Sequence, residues 1–179
     1  RVMKPPTPHP SMQDRRSVDR PPQPEQVLRE ELIDLSHPSP LFNALRAALV
    51  AEDLPVEDLQ QPGRSFYAYF ANRDTLAGFG GFEAHGEHAL VRSIVVLPGH
   101  RGRGLVWQIV PRVLARASEA GATHAWLLTE GAKAVFSRLG FSEAERGDVP
   151  AEIGSTSQFS KLCGIDATLM HRPLEPHYA

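Results

Sequence analysis

The stretch Ile94–Trp107, IVVLPGHRGRGLVW, constrains this chain more than any other. A β-branched strand stops at Pro98, a basic loop containing Gly99, Gly102 and Gly104 follows, and an amphipathic helix opens at once. Backbone N–H groups from Gly102 to Val106 would converge on one centre there, aided by the helix dipole. Arg101 and Arg103 add positive charge, and glycine at 102 and 104 lets the backbone approach a ligand closely. The pattern predicts an anion cradle, with a tight strand–helix turn carrying surface arginines as the plain alternative. It is not a Walker A loop, because no Gly-Lys-Ser/Thr ending is present. A Rossmann fingerprint would follow the first strand of a parallel unit, whereas this loop follows a hairpin.

The elements around the loop can be read from periodicity. Glu31–Ser36 reads as a first strand, and Leu41, Leu45, Ala48 and Leu49 have helical spacing. Leu54 to Leu59 reads as a further helical turn, and Ser65–Ala71 and Thr75–Ala84 as strands. A two-residue turn at Gly86-Glu87 would pair Glu83 with Leu90 and Gly81 with Arg92, making Glu83 and Arg92 diagonal neighbours on one face. Leu90–Leu97 is the next strand. Val106, Ile109, Val110, Val113, Leu114 and Ala117 then define the longest helix, stopped near Gly121 and expected to bend at Pro111. Ala122–Thr129 reads as a buried strand, Gly131–Leu139 as a short helix, and Ala167–Pro173 as the last strand. Between them, Ser155-Thr156-Ser157-Gln158 matches a capping box before a short helix stopped by Gly164. A β-meander, a β–α–β unit, a helix and a closing strand give a mixed α/β sheet, mainly antiparallel, with a helix on each face.

Composition narrows the function classes. Residues 1–24 hold seven prolines and a local charge of +3 (Arg1, Lys4, Arg15, Arg16 and Arg20 against Asp14 and Asp19), which predicts a disordered tail. Residues 25–179 form the expected single domain. The net charge of −2 marks no nucleic-acid or membrane binder, and Arg101-Gly102-Arg103 lacks the interleaved aromatics of an RNA patch. No apolar run is long enough to span a bilayer, and the N-terminus has no signal-peptide core. With one cysteine, Cys163, an intramolecular disulfide is excluded, and a cytoplasmic protein is expected.

Arg101-Gly102-Arg103-Gly104-Leu105-Val106 resembles the central Gln/Arg-x-x-Gly-x-Gly/Ala motif of the GNAT acetyltransferases, and Ala132–Phe141 (AKAVFSRLGF) resembles a second landmark of that family. The resemblance spans roughly residues 30–173 and implies a GNAT-like acyl-CoA N-acyltransferase fold. It implies acetyl-CoA as co-substrate and no metal. Its pyrophosphate would lie on Arg101, Gly102, Arg103, Gly104, Leu105 and Val106, its pantetheine arm along Ile94, Val95 and Val96, and its thioester near Phe136. A small-molecule amine is the implied acceptor, and many members form homodimers. Gly80-Gly81-Phe82-Glu83, Leu90-Val91-Arg92-Ser93 and Pro150-Ala151-Glu152-Ile153 further resemble a subgroup encoded beside arsenic-resistance genes, which implies a detoxification role without fixing the acceptor, expected here to be small and acidic or arsenical.

Two positions depart from the family pattern. Val106 replaces a glycine or alanine and crowds the cradle. Phe136 stands where many members carry a tyrosine that protonates the leaving thiolate. A thiol pKa of about 8.5 lets the thiolate leave without an acid, and general acid catalysis typically contributes about 10²–10⁴-fold.

The remaining roles each have an alternative. Glu83 is the candidate catalytic base, against a plain Glu83–Arg92 ion pair, and Glu130 is the other candidate base. Arg92 could bind an acidic group of the acceptor, with Gly81 opposite leaving room, or simply pair. Thr129 could hydrogen-bond the acceptor, and the amide near Val95 could hold the thioester oxygen. His85 and His88 read as turn residues and not metal ligands, Cys163 as a core thiol, and Trp107 and Trp126 as core or pocket wall. Pro150–Cys163 is expected to wall one side of a small pocket. An acyl-CoA-binding regulatory module and a protein N-acetyltransferase are the competing functions.

Overall fold

A computed structural model describes residues 27–161 and 166–177. The expected tail, Cys163 and Gly164 lie outside those residues. The described chain forms one seven-stranded sheet in the order β1-β2-β3-β4-β5-β7-β6. Its strands are β1 (Arg29–Leu32), β2 (Arg64–Ala71), β3 (Thr75–His85), β4 (His88–Val96), β5 (His124–Thr129), β6 (Ser142–Glu143) and β7 (Thr168–Pro173). Every pair is antiparallel except β4 with β5. The first strand starts and ends earlier than the sequence pattern indicates, and β6 was not expected. Two residues carry too little periodicity to be seen.

Alternation along β2 divides the core. Phe66, Ala68 and Phe70 pack with Leu45 and Leu49 of helix α1 (Pro40–Ala51), whereas Tyr69 and Ala71 pack with Ile109 and Val113 of α2 (Val106–Glu119). The sheet is therefore sandwiched, with α1 on one face and α2 on the other. Ser39 caps α1 by accepting from the Phe42 N–H, and Pro40 occupies its first turn. Helix α2 continues through Pro111 as one element. At Gly80 a Cβ would lie 2.8 Å from the Val113 side chain, so the glycine allows α2 to sit tightly on the sheet. The residues from Leu54 to Leu59 form turns without a helix.

The β3–β4 hairpin has the register expected from its Gly86-Glu87 turn, with Glu83 opposite Leu90 and Gly81 opposite Arg92. Beyond Arg92 the register shifts: Phe79 faces Val95, so Ser93 and Ile94 together oppose Gly80. Ser93 sits in the bulge at φ +59°, a left-handed conformation for a residue with a side chain. On the other side β4 pairs with β5 only from His88↔His124 to Leu90↔Trp126. Past that point the two strands part, and the gap becomes the functional site.

After β5 come α3 (Lys133–Arg138), α4 (Ala151–Gly154) and α5 (Ser157–Lys161). The cap of α5 is Thr156, whose Oγ1 accepts from the Phe159 N–H at 3.2 Å, one residue later than the capping-box reading. No helix of the described residues is long and apolar enough to cross a membrane.

Candidate active site

Two cavities adjoin along β4. The first, about 420 Å³, is lined by Ile94, Val95, Val96, Arg101, Gly102, Gly104, Leu105 and Val106, with Glu52, Leu54 and His100. The structure thus gathers eight of the expected cofactor residues around one space. Arg103 is exposed outside this lining. Gly102 and Gly104 adopt φ of +75° and +72°, which turn the loop so that a ligand can meet its backbone. Among the described residues, none of the amides from Gly102 to Val106 donates to another backbone group. Unpaired donors at the start of a 14-residue helix are what an anion needs. These residues therefore fit a phosphate-bearing group. Arg101 acts as a strut: its Nε donates to the Val96 carbonyl at 2.9 Å and its Nη2 pairs with Glu52.

The second cavity, about 620 Å³, occupies the gap between β4 and β5. Ile94, Val96 and Val106 line both cavities, so the two meet at the bulged half of β4. Val106 is half-buried against the α2 core, which relieves part of the crowding its size would cause in the loop. Arg92, Thr129 and Phe136 line the second cavity together with Ser93, Glu130 and Gln158. Phe136 also packs edge-on against Phe141, with ring centroids 5.8 Å apart. Gln158 comes from α5, so the segment expected to wall the pocket contributes to its lining.

Glu83 is placed differently. It is fully buried, lines neither cavity, and forms ion pairs with Arg64 and, at 3.7 Å, with Arg92. Burial raises its pKa, and the charges of Arg92 and Arg64 oppose that rise. The Arg92 guanidinium is itself occupied. Its Nη1 and Nη2 donate to the two carboxylate oxygens of Asp58 at 2.6 and 2.9 Å, and Nη2 also reaches the Pro55 carbonyl at 3.3 Å. Arg64 and the Ser157 hydroxyl bond the same Asp58 carboxylate, at 3.3 and 3.1 Å. Burial works to raise the Asp58 pKa, but the Arg92 hydrogen bonds and charge, with Arg64 and Ser157, bring it down to about 2. Burial also lowers the His85 pKa, helped by Arg64.

Gly81 makes room for the Phe66 ring, over which Arg92 lies 5.4 Å from the centroid, and not for a ligand. His88 accepts a hydrogen bond from the Trp126 indole at 3.2 Å. Among the described residues, no cluster of three His, Cys, Asp or Glu could hold a metal ion. Asp58 and Ser157 are the residues that sequence reasoning missed. Asp58 lies in no motif and Ser157 was read only as part of a capping box; Asp58 meets Arg92 and Ser157 across 34 and 99 residues of sequence.

The sequence model of the acetyltransferase (GNAT) family matches residues 27–141, more than half of the chain. No curated protein matches the chain significantly. Among solved structures, Tetrahymena GCN5 is 14% identical with a TM-score of 0.68, over 84% of this chain and 98% of that one. A Mycobacterium tuberculosis protein crystallised in complex with CoA is 20% identical with a TM-score of 0.65, over 83% and 99%. N-acetylglutamate synthase from Neisseria gonorrhoeae, complexed with CoA and N-acetyl-glutamate, is 15% identical with a TM-score of 0.63, over 82% of this chain and 35% of that longer one.

Proposed function

The chain belongs to the GNAT acetyltransferase family, and we propose that it moves an acetyl group from acetyl-CoA to the primary amine of a small acceptor. The observation that carries this reading is the junction of the two cavities at Ile94, Val96 and Val106. One cavity offers unpaired loop amides for a pyrophosphate, and the other offers polar side chains for an acceptor. Acetyl-CoA would supply an activated thioester at the junction, held by Gly102–Val106 and the edge of β4.

The residues around the junction then have separate tasks. The acceptor amine enters from the Thr129 side, where Thr129 and Gln158 orient it by hydrogen bonds. An alkylamine is mostly protonated at neutral pH, so its proton must leave before attack. Glu130, at the end of β5 and lining the acceptor cavity, takes that proton directly or through water. The amine nitrogen bonds to the carbonyl carbon, the carbon–sulfur bond breaks, the electron pair leaves with sulfur, and the surplus proton on the new amide nitrogen passes through water to the thiolate. The bulge at Ser93 leaves the Val95 region of backbone next to the carbonyl oxygen, where an amide dipole stabilises developing negative charge. Phe136 shields the departing sulfur and supplies no proton. Glu83 serves as the buried counterion of Arg64 and Arg92.

An acceptor with an acid group is the second reading, favoured by the N-acetylglutamate synthase likeness. The sequence features shared with the arsenic-resistance subgroup support a detoxification role for the same transfer. Phe136 and Val106 favour a binding module without catalysis, a reading that measurable turnover of any amine would eliminate. The test is thiol release from acetyl-CoA over a panel of small amines. Amine-dependent release that Gly104→Val abolishes supports the proposal, and release absent with every amine contradicts it.

A further inference from the structure

The acceptor cavity carries uncompensated charge of one sign. Among the described residues that line it, the ionisable side chains are Glu52, Asp53, Arg92 and Glu130. Glu52 pairs with Arg101. Arg92 is 5% exposed and gives both of its terminal nitrogens to Asp58, which is itself 4% exposed and outside the lining. The Arg92 Nε has no partner but is sealed from the cavity, so the lining offers no accessible cationic donor. Asp53 and Glu130 stand exposed at the rim, and neither has an ion-pair partner among the described residues.

The interior adds a second, independent observation. Gln158 is 5% exposed and lines the cavity, yet its amide has no hydrogen-bond partner among the described residues. Thr129, at 9%, shares this state. Neither the Gln158 amide nor the Thr129 hydroxyl is among the sealed polar atoms that lack a partner, so both stay open to the cavity and can hydrogen-bond a bound polar group. The cavity is thus neutral and hydrogen-bonding inside, and negative at its mouth.

We infer that the acceptor is a primary amine carrying a second cationic group, an inference that rests on the acetyl-transfer reading above. An acid-bearing acceptor would have to displace Asp58 from Arg92, leaving Asp58 buried and unpaired, or lie beside Asp53 and Glu130 as a like charge. A second cation is drawn to that rim, and the attraction is screened by salt because the carboxylates are exposed. Arg92 and Asp58 neutralise each other, and the acid-binding function open to an unpaired Arg92 is lost.

The test compares matched amines with the full chain and acetyl-CoA: putrescine against γ-aminobutyrate, and cadaverine against δ-aminovalerate. Each pair has one chain length and differs in the charge of the far end. The expected result is a kcat/KM at least about tenfold higher for the diamine in both pairs, falling toward parity as salt rises above physiological strength. Asp53→Asn should reduce the diamine advantage several-fold through KM, with acetyl-CoA affinity unchanged. Equal or better turnover of the amino acids overturns the inference, as does turnover of none of the four by protein that binds acetyl-CoA. Protein that fails to bind acetyl-CoA at all overturns the acetyl-transfer reading itself, a separate outcome read by calorimetry before any amine is added.

Discussion

The Arg92 guanidinium donates to both carboxylate oxygens of Asp58, at 2.6 and 2.9 Å, and so ties the β3–β4 hairpin to the loop between α1 and β2. Ser157 adds the helical segment that walls the acceptor cavity, at 3.1 Å from the same carboxylate. Asp58 is depressed to about 2 from an ordinary 3.8. The folded state therefore holds this proton less tightly than the unfolded chain. The stability it contributes is fully present above about pH 4 and is lost as pH falls toward 2, amounting to about 2 kcal/mol. Urea titrations from pH 6 down to about 2.5 should show this limb in the intact protein and its loss in Asp58→Asn. Glu83 acts in the opposite sense, because its raised pKa favours the folded state at low pH.

Removing the Asp58 carboxylate should also destabilise at neutral pH. Arg92 would be left buried without its bidentate partner, a loss of about 3–5 kcal/mol in Asp58→Ala. Denaturant midpoints at pH 7 measure this, and a double-mutant cycle with Arg92→Met isolates the pair from the effects of either side chain alone.

Gln158 reaches the acceptor cavity and not the loop cavity. Gln158→Ala should raise the acceptor KM by about tenfold, the loss of roughly one hydrogen bond, and leave acetyl-CoA affinity within about twofold. A shift in acetyl-CoA affinity with an unchanged acceptor KM would mean that Gln158 does not face the acceptor.

Phe136 is 8% exposed and lines the acceptor cavity beside Val106. Phe136→Tyr places a phenol where the thiolate departs. If thiolate departure limits turnover, kcat should rise by about tenfold or more, with a new alkaline limb in its pH profile as the phenol ionises.

Much of the fold was legible because its signals are local. The Gly86-Glu87 turn sets the β3–β4 register, and the α2 stripe from Val106 to Ala117 sets which helix face is buried. The start of β1 was misplaced because Arg29 and Glu30 are strand residues only through their pairing with Phe70 and Tyr69. For the site, the cavity-lining loop from Arg101 to Val106 was legible because its glycines and the helix start are consecutive in sequence. The Glu83–Arg92 proximity was legible too, as a consequence of register. Asp58 was not: it lies in a turn with no periodicity, and its partners reach it from β2, β4 and α5. Without Asp58 in view, Arg92 looked available to a ligand.

The central claim, that Gly102–Val106 and β4 hold acetyl-CoA, is tested most directly by calorimetric titration of the full chain with acetyl-CoA, repeated on Gly104→Val. Gly104 is at φ +72°, where a β-branched residue is strained, and its amide belongs to the unpaired set. The account predicts saturable one-to-one binding in the micromolar range, lost in a variant whose circular dichroism is unchanged. Absence of binding by the intact protein, or equal binding by the folded variant, would contradict it.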